Sequence, residues 1–162
     1  MSVVARLLLL SVILSAGCGK PSKQSSIAAS VQQLGDEASK FVLYSLKWGN
    51  DHDEKVNTDA IFHGYEILGS AEITDVAKKR ALLRALAQGV RNNDGSYATC
   101  FLPRYAIRME NNGRSIDFTI SFLCHQVKAY GFEHSDWFVT SEFPKAAFDE
   151  AATTYHLPRL PE

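Results

Sequence analysis

Three groups of residues in this 162-residue chain have the types and spacing to do chemistry. The first is Cys100, Cys124 and His125, a thiol pair beside an imidazole. A cysteine nucleophile needs a nearby base or cation to lower its thiol pKa. His125 directly follows Cys124, however, and on a strand adjacent side chains point to opposite faces. Two cysteines with no paired C-x-x-C or H-x-x-x-H also make a poor zinc set. The second group is Arg104 and Arg108, whose guanidinium groups match a carboxylate or phosphate bidentately. The third is His63-Gly64-Tyr65, where a glycine inside a strand can mark close backbone approach or a bulge beside a histidine that is either structural or functional. Asp51 to Asp59 (D-H-D-E-K-V-N-T-D) is superficially like a calcium loop. It has Val56 where that loop needs glycine and Phe62 where it needs glutamate, so it reads as a solvated loop.

The cysteines and arginines must be positioned by the stretch from Tyr97 to Tyr130. Apolar residues alternate at Tyr105, Ile107 and Met109, and again at Ile116, Phe118, Ile120, Phe122 and Cys124, the pattern of half-buried strands. Asn112-Gly113 between them is the favoured pair for a two-residue type I′ turn. With that turn Met109 faces Ile116, Ile107 faces Phe118 and Tyr105 faces Ile120. A slip of one residue would set Ile107 opposite Asp117, so turn and pattern agree. On the other face Arg108 falls opposite Asp117, Ala106 opposite Thr119 and Arg104 opposite Ser121, and this face is expected to meet solvent. The bland use of Arg108 is an ion pair with Asp117; the sharper use of Arg104 is an anion clamp. With no Gly, Pro, Asn or Asp between Phe118 and Tyr130, the second strand is expected to run on past Cys124.

In that register Cys100 points away from Cys124. Pro103 cannot donate to a ladder and sits at edges or bulges. A bulge there adds one residue to the first strand and brings Cys100 opposite Cys124. A disulfide between them is expected, and closing a loop of about 25 residues is worth roughly 3–4 kcal/mol. Thiol catalysis or metal binding by the pair is the alternative.

Redox compartment favours the disulfide. Arg6 precedes an apolar core, Leu7 to Leu14, and Ser15-Ala16-Gly17-Cys18 follows, the layout of an export signal with small residues at its cleavage site. The core is too short to span a bilayer, which needs about 20 apolar residues. The segment resembles the lipobox of bacterial lipoproteins, although Ser15 stands where that family usually has leucine. The resemblance implies a signal peptide over residues 1–17, lipidation of Cys18 as the mature N-terminus, and a membrane partner. Gly19 after the cysteine implies the outer membrane, facing the periplasm. Lys20 to Ser26 then reads as the rest of a polar tether over residues 18–26. The net charge of −1 leaves no basic excess for nucleic acid.

The remainder, residues 27–162, reads as one domain. A short helix is expected over Ile27 to Ala38, and strands over Phe41 to Trp48 and Ala60 to Leu68, the second closed by Gly69-Ser70. Thr74 should cap a helix running to Arg91 with Val76, Leu82, Leu83, Leu86 and Val90 on its apolar face. Trp137 to Thr140 is a further strand, and Ser141 caps a last helix carrying Phe148, Ala151, Ala152 and Tyr155, followed by a short exposed tail. Helices segregated from an antiparallel sheet make an α+β fold, here with two main helices around a disulfide-braced hairpin.

The pieces F-H-G-Y-E-I-L-G (62–69), C-F-L-P-R-Y-A-I-R (100–108) and F-T-I-S-F-L-C (118–124) resemble a family of uncharacterised exported bacterial proteins and lipoproteins. That family often has a second cysteine where this chain has Ser121, which favours pairing of Cys100 with Cys124. The expectation is therefore a lipid-anchored envelope module with a binding or structural role, its partner an envelope protein or a small anionic ligand, without a cofactor or metal. Arg104, Arg108, His63 and Tyr65 are its candidate contacts. The alternative is an enzyme, hydrolase-like or other, acting on an anionic substrate through His63 and Arg104.

Overall fold

A computed structural model describes residues 22–48, 60–134 and 136–159. Cys18, the signal segment and the acidic loop lie outside these residues. The fold is α+β, with three helices and a curled, antiparallel seven-stranded sheet. The elements are α1 (Lys23–Glu37), β1 (Lys40–Lys47), β2 (Ile61–Phe62), β3 (Tyr65–Glu72), α2 (Val76–Arg91), β4 (Tyr105–Asn111), β5 (Arg114–Ser121), β6 (Gln126–Tyr130), β7 (Trp137–Val139) and α3 (Lys145–Thr154). The strand order is β2-β3-β1-β4-β5-β6-β7. A register shift between Ser45 and Leu46 interrupts the β1–β3 ladder, and such bulges strengthen the local twist.

The central hairpin forms as its sequence requires. Met109 pairs with Ile116, Ile107 with Phe118, Tyr105 with Ile120 and Arg108 with Asp117. Asn112 and Gly113 take φ values of 48° and 77°, the left-handed pair of a type I′ turn. Pairing ends at Tyr105, and Arg104 N–H donates instead to the Ile120 carbonyl, so the ladder breaks beside Pro103. Cys100 and Cys124 are joined by a disulfide, with Cα atoms 5.7 Å apart.

The second strand does not continue past Cys124. It stops at Ser121, turns through residues 122–125 and returns as β6, with Ser121 paired to Gln126. The turn is built from side chains that are not the usual turn formers. Ser121 Oγ accepts from Cys124 N–H at 3.3 Å, and His125 adopts φ of 57°, a region histidine enters more readily than most residues. The expected strand over Ala60 to Leu68 is likewise two strands. His63 (φ 49°) and Gly64 (φ 91°) make a two-residue turn with Phe62 facing Tyr65, and β3 runs through Gly69-Ser70 to Glu72.

The helices also depart in detail from expectation. α1 is a full fifteen residues, capped by Ser22 Oγ on Ser25 N–H, so Lys23 to Ser26 are helical and not tether. Gly35 does not end it. A Cβ there would lie 1.8 Å from Leu83 Cδ1, so the glycine lets α1 and α2 approach closely. α2 is capped by Asp75, not Thr74, its Oδ1 accepting from the Ala77 and Lys78 amides, and Val76 is exposed. α3 starts at Lys145 without a side-chain cap. The segment after α3 is not a free tail, since Leu157 is buried and the Pro158 carbonyl accepts from Ser45 Oγ.

All three helices contribute to a core on one face of the sheet, formed with Phe41, Leu43, Ile107, Phe118, Ile120, Val127 and Phe138. The other face, expected to meet solvent, is largely covered. Ala106, Thr119 and Ser121 have no exposed surface and Asp117 has 4%. The β2–β3 hairpin accounts for this, laying Phe62 and Tyr65 against Tyr44, Leu46 and Ala106 as a second apolar cluster.

Candidate functional site

The β4–β5 register sets Arg108 opposite Asp117 on this second face, and the His63-Gly64 turn brings an imidazole to the same carboxylate. Arg108 Nε donates to Asp117 Oδ1 at 2.9 Å and Nη2 to Oδ2 at 2.7 Å. His63 Nε2 lies 2.7 Å from Oδ2, and an ionised carboxylate only accepts, so the imidazole is the donor. The Asp117 side chain is 5% exposed, against 34% for Arg108 and 28% for His63. Three short charge-assisted bonds offset the desolvation of the acid. The hydrogen bonds that it donates to Asp117 hold the Arg108 pKa above its ordinary value, against the opposing effect of burial.

Aromatic rings surround this constellation. His63 stacks on Tyr130 with centroids 3.5 Å apart and planes 5° from parallel, and it meets Phe62 edge-on at 4.8 Å. Phe62 lies 4.6 Å from Tyr44 and beneath the Arg108 guanidinium, 5.1 Å from its ring centre. Lys128 Nζ sits 5.2 Å from the Tyr130 centroid and 5.3 Å from that of Trp137. Phe101 meets Trp137 at 4.8 Å and Tyr65 at 6.2 Å. The neighbouring Cys100–Cys124 bond thus helps hold Phe101 in the belt. Burial pushes the Tyr44 and Tyr65 hydroxyls above the usual phenol pKa.

Thr119 stands in the middle of this face, between Ala106 and Lys128 in the cross-strand row. Its Oγ1 is the one buried side-chain polar atom among the described residues without a hydrogen-bond partner. An unsatisfied buried hydroxyl costs about 1–3 kcal/mol.

Of the residues singled out from sequence, His63, Tyr65 and Arg108 come together here. Arg104 does not join them. It sits at the head of β4, about 13 Å along the strand from Arg108, half-buried, with its carbonyl accepting from Leu46 N–H. His125 belongs to the β5–β6 turn, where its carbonyl accepts from Thr140 N–H. The disulfide removes Cys100 and Cys124 from thiol chemistry. Among the described residues no three His, Cys, Asp or Glu side chains converge on a metal position.

Lys128, Tyr130, Trp137 and Thr119 were not among the sequence candidates. Their signal is parity. Once β6 is known to fold back on β5, Lys128 and Tyr130 alternate onto the face that holds Thr119 and Asp117.

A second carboxylate network lies across the sheet. Tyr105 Oη donates to Asp149 Oδ1, Lys145 Nζ donates to Oδ2 at 2.9 Å, and Arg159 Nη1 lies 3.6 Å from Oδ1. Burial pushes the Asp149 pKa up, but the bonds from Tyr105 and Lys145 outweigh it and hold the acid below its usual range. Burial and the Asp149 contact push the Tyr105 hydroxyl well above the phenol range.

No known protein family, curated protein or solved structure matches this chain.

Proposed function

We propose that the protein is a lipid-anchored module of the bacterial cell envelope that binds a small anionic, ring-bearing ligand on its aromatic face. The anchor is Cys18, and the membrane is the outer membrane on its periplasmic side. The observation that carries the binding reading is Lys128. Arg108 is neutralised by Asp117, whereas Lys128 is held over the Tyr130 and Trp137 rings and by no carboxylate among the described residues. A cation beside the partly exposed Trp137 ring suits an aromatic anion, which can pair with the one and pack on the other. The resemblance to exported lipoproteins supports the envelope location and adds no activity.

The test uses Trp137 fluorescence in a chain with Trp48→Phe, since these are the only two tryptophans. Benzoate and phenyl phosphate should quench it saturably and neutral benzyl alcohol should not. Lys128→Met should weaken binding about tenfold, or about 1.4 kcal/mol. No saturable response to either anion would refute the ligand class. For the anchor, Cys18→Ala should release the chain from the membrane fraction.

A second reading, an enzyme acting on an anionic substrate, is favoured by the His63–Asp117 contact, because a carboxylate that fixes an imidazole's tautomer can prepare it for proton transfer. His63 would then act beside Arg108 and Lys128 and not, as the sequence suggested, beside Arg104. Turnover of phenyl phosphate that is lost in His63→Ala with the fold intact would replace the binding reading with this one.

A further inference from the structure

We infer that one end of the domain rests on the lipid surface through Tyr97, Leu123 and Phe143. The inference depends on the lipid-anchor reading of Cys18.

The position of the tethered end follows from helix pairing. Asp36 pairs with Arg80 at 2.9 Å, Gly35 packs on Leu83, and Gln32 lines a small cavity with Arg84. As α1 numbers fall α2 numbers rise, so the helices are antiparallel and the start of α1 lies by the end of α2. The end of α2 is tied to the segment before α3, with Ser141 N–H donating to the Gly89 carbonyl at 3.1 Å and Asn93 Nδ2 to the Thr140 carbonyl at 2.7 Å. Thr140 N–H in turn donates to the His125 carbonyl, and Ala98 N–H to that of Cys124. The start of α1, the β5–β6 turn, the segment around Tyr97 and the approach to α3 therefore share one end of the sheet.

That end carries the most exposed large apolar side chains among the described residues, apart from Val76 at the far end. Leu123 is 70% exposed, Tyr97 63% and Phe143 61%. Each is on a turn or loop, where no fold requirement explains an outward apolar group. Exposed Lys23 and Arg91 lie at this end together with the exposed carboxylates Asp94 and Glu142, so the surface is mixed in charge. Three residues separate Cys18 from Ser22, the cap of α1, so the domain can stand off its anchor by no more than about 14 Å. Exposed apolar and aromatic side chains held this close to a lipid anchor are what a bilayer interface takes up. The occupant of this surface is the lipid interface itself.

The test supplies the lipid chemically. In mature chain with the disulfide formed, Cys18 is the one free thiol and couples to a maleimide phosphatidylethanolamine in vesicles of three parts phosphatidylcholine to one part phosphatidylglycerol. Amide hydrogen exchange is then compared with the uncoupled chain. Residues 96–98, 122–125 and 141–143 should exchange at least about threefold more slowly on vesicles, with the Asn112-Gly113 turn unchanged. The double variant Leu123→Asp, Phe143→Asp should lose that protection. Unchanged exchange at these segments in coupled protein overturns the surface. Protection of the same segments in uncoupled protein, rising with its concentration, assigns them to a second copy and overturns it too. Independently, mass spectrometry of the full chain expressed in bacteria should find a lipid-modified Cys18, and an unmodified cysteine overturns the proposal through its anchor.

Discussion

Asp117 and Asp149 are both carboxylates held by cations on opposite sides of one sheet, yet they are held in different ways. Asp117 is 5% exposed and is fixed by a cross-strand register, with Arg108 and His63 arriving from two hairpins. Asp149 is 30% exposed and is fixed by a helix, with Lys145 one turn before it, Tyr105 beneath it and Arg159 from the segment after α3. The first network cannot relax without moving a strand or a hairpin. The second can trade its two cations, Lys145 and Arg159, for water. The same chemistry therefore carries much more structural consequence on the aromatic face.

The largest test of that difference combines it with the disulfide. Reduction of Cys100–Cys124 should lower stability by roughly 3 kcal/mol in urea unfolding, from loop entropy. Combined with Arg108→Ala the loss should fall short of the sum, because the disulfide and the ion pair both hold down the aromatic face. Combined with Asp149→Ala it should add fully. Equal additivity in the two cycles would erase the distinction.

Next in size, Arg108→Ala should cost about 2–3 kcal/mol, between the values for exposed and fully buried pairs, because it leaves a nearly buried carboxylate with His63 alone. Arg108→Lys should recover only part, since an ammonium cannot bond both oxygens in parallel. Asp149→Ala should cost about 1 kcal/mol by the same measurement. If Asp149→Ala proved the more damaging, burial would not be the deciding factor.

The smallest effects are in pH. The folded-state pKa of Asp149 is depressed, so its contribution is complete above the unfolded carboxylate value of about 3.9 and is lost as pH falls through the folded value. Tyr105 is raised, so its contribution is complete below the unfolded phenol value of about 10 and is lost as pH rises beyond it. Tyr105→Phe should flatten the alkaline limb of the stability profile. Tyr44 and Tyr65, also raised by burial, should keep the limb from vanishing. An unchanged alkaline limb in Tyr105→Phe would remove the hydroxyl from the Asp149 network.

What the sequence made legible was local. Asn112-Gly113 and the alternation around it specify register, which in turn specifies the Arg108–Asp117 pair; the expected disulfide forms too, but between a residue ahead of β4 and one in the β5–β6 turn and not across one long bulged ladder. What it hid depended on contacts far along the chain. The β5–β6 turn contains no Gly, Pro, Asn or Asp, and forms because Ser121 bonds the Cys124 amide while His125 takes a left-handed conformation. The His63-Gly64 turn was read as a glycine inside a strand. Its role emerges only when Tyr130, 67 residues later, stacks on the imidazole. Missing these two turns meant missing Lys128 and Tyr130 as neighbours of Asp117, and reading a covered face as a wet one.

The sheet ends in β2, two residues long, and β7, three residues long. A border strand that short exposes too few unpaired amides and carbonyls to template another chain. That holds on the β7 side, whereas β2 pairs only Tyr65 and Glu66 and leaves residues 67–72 of β3 as the longer border among the described residues.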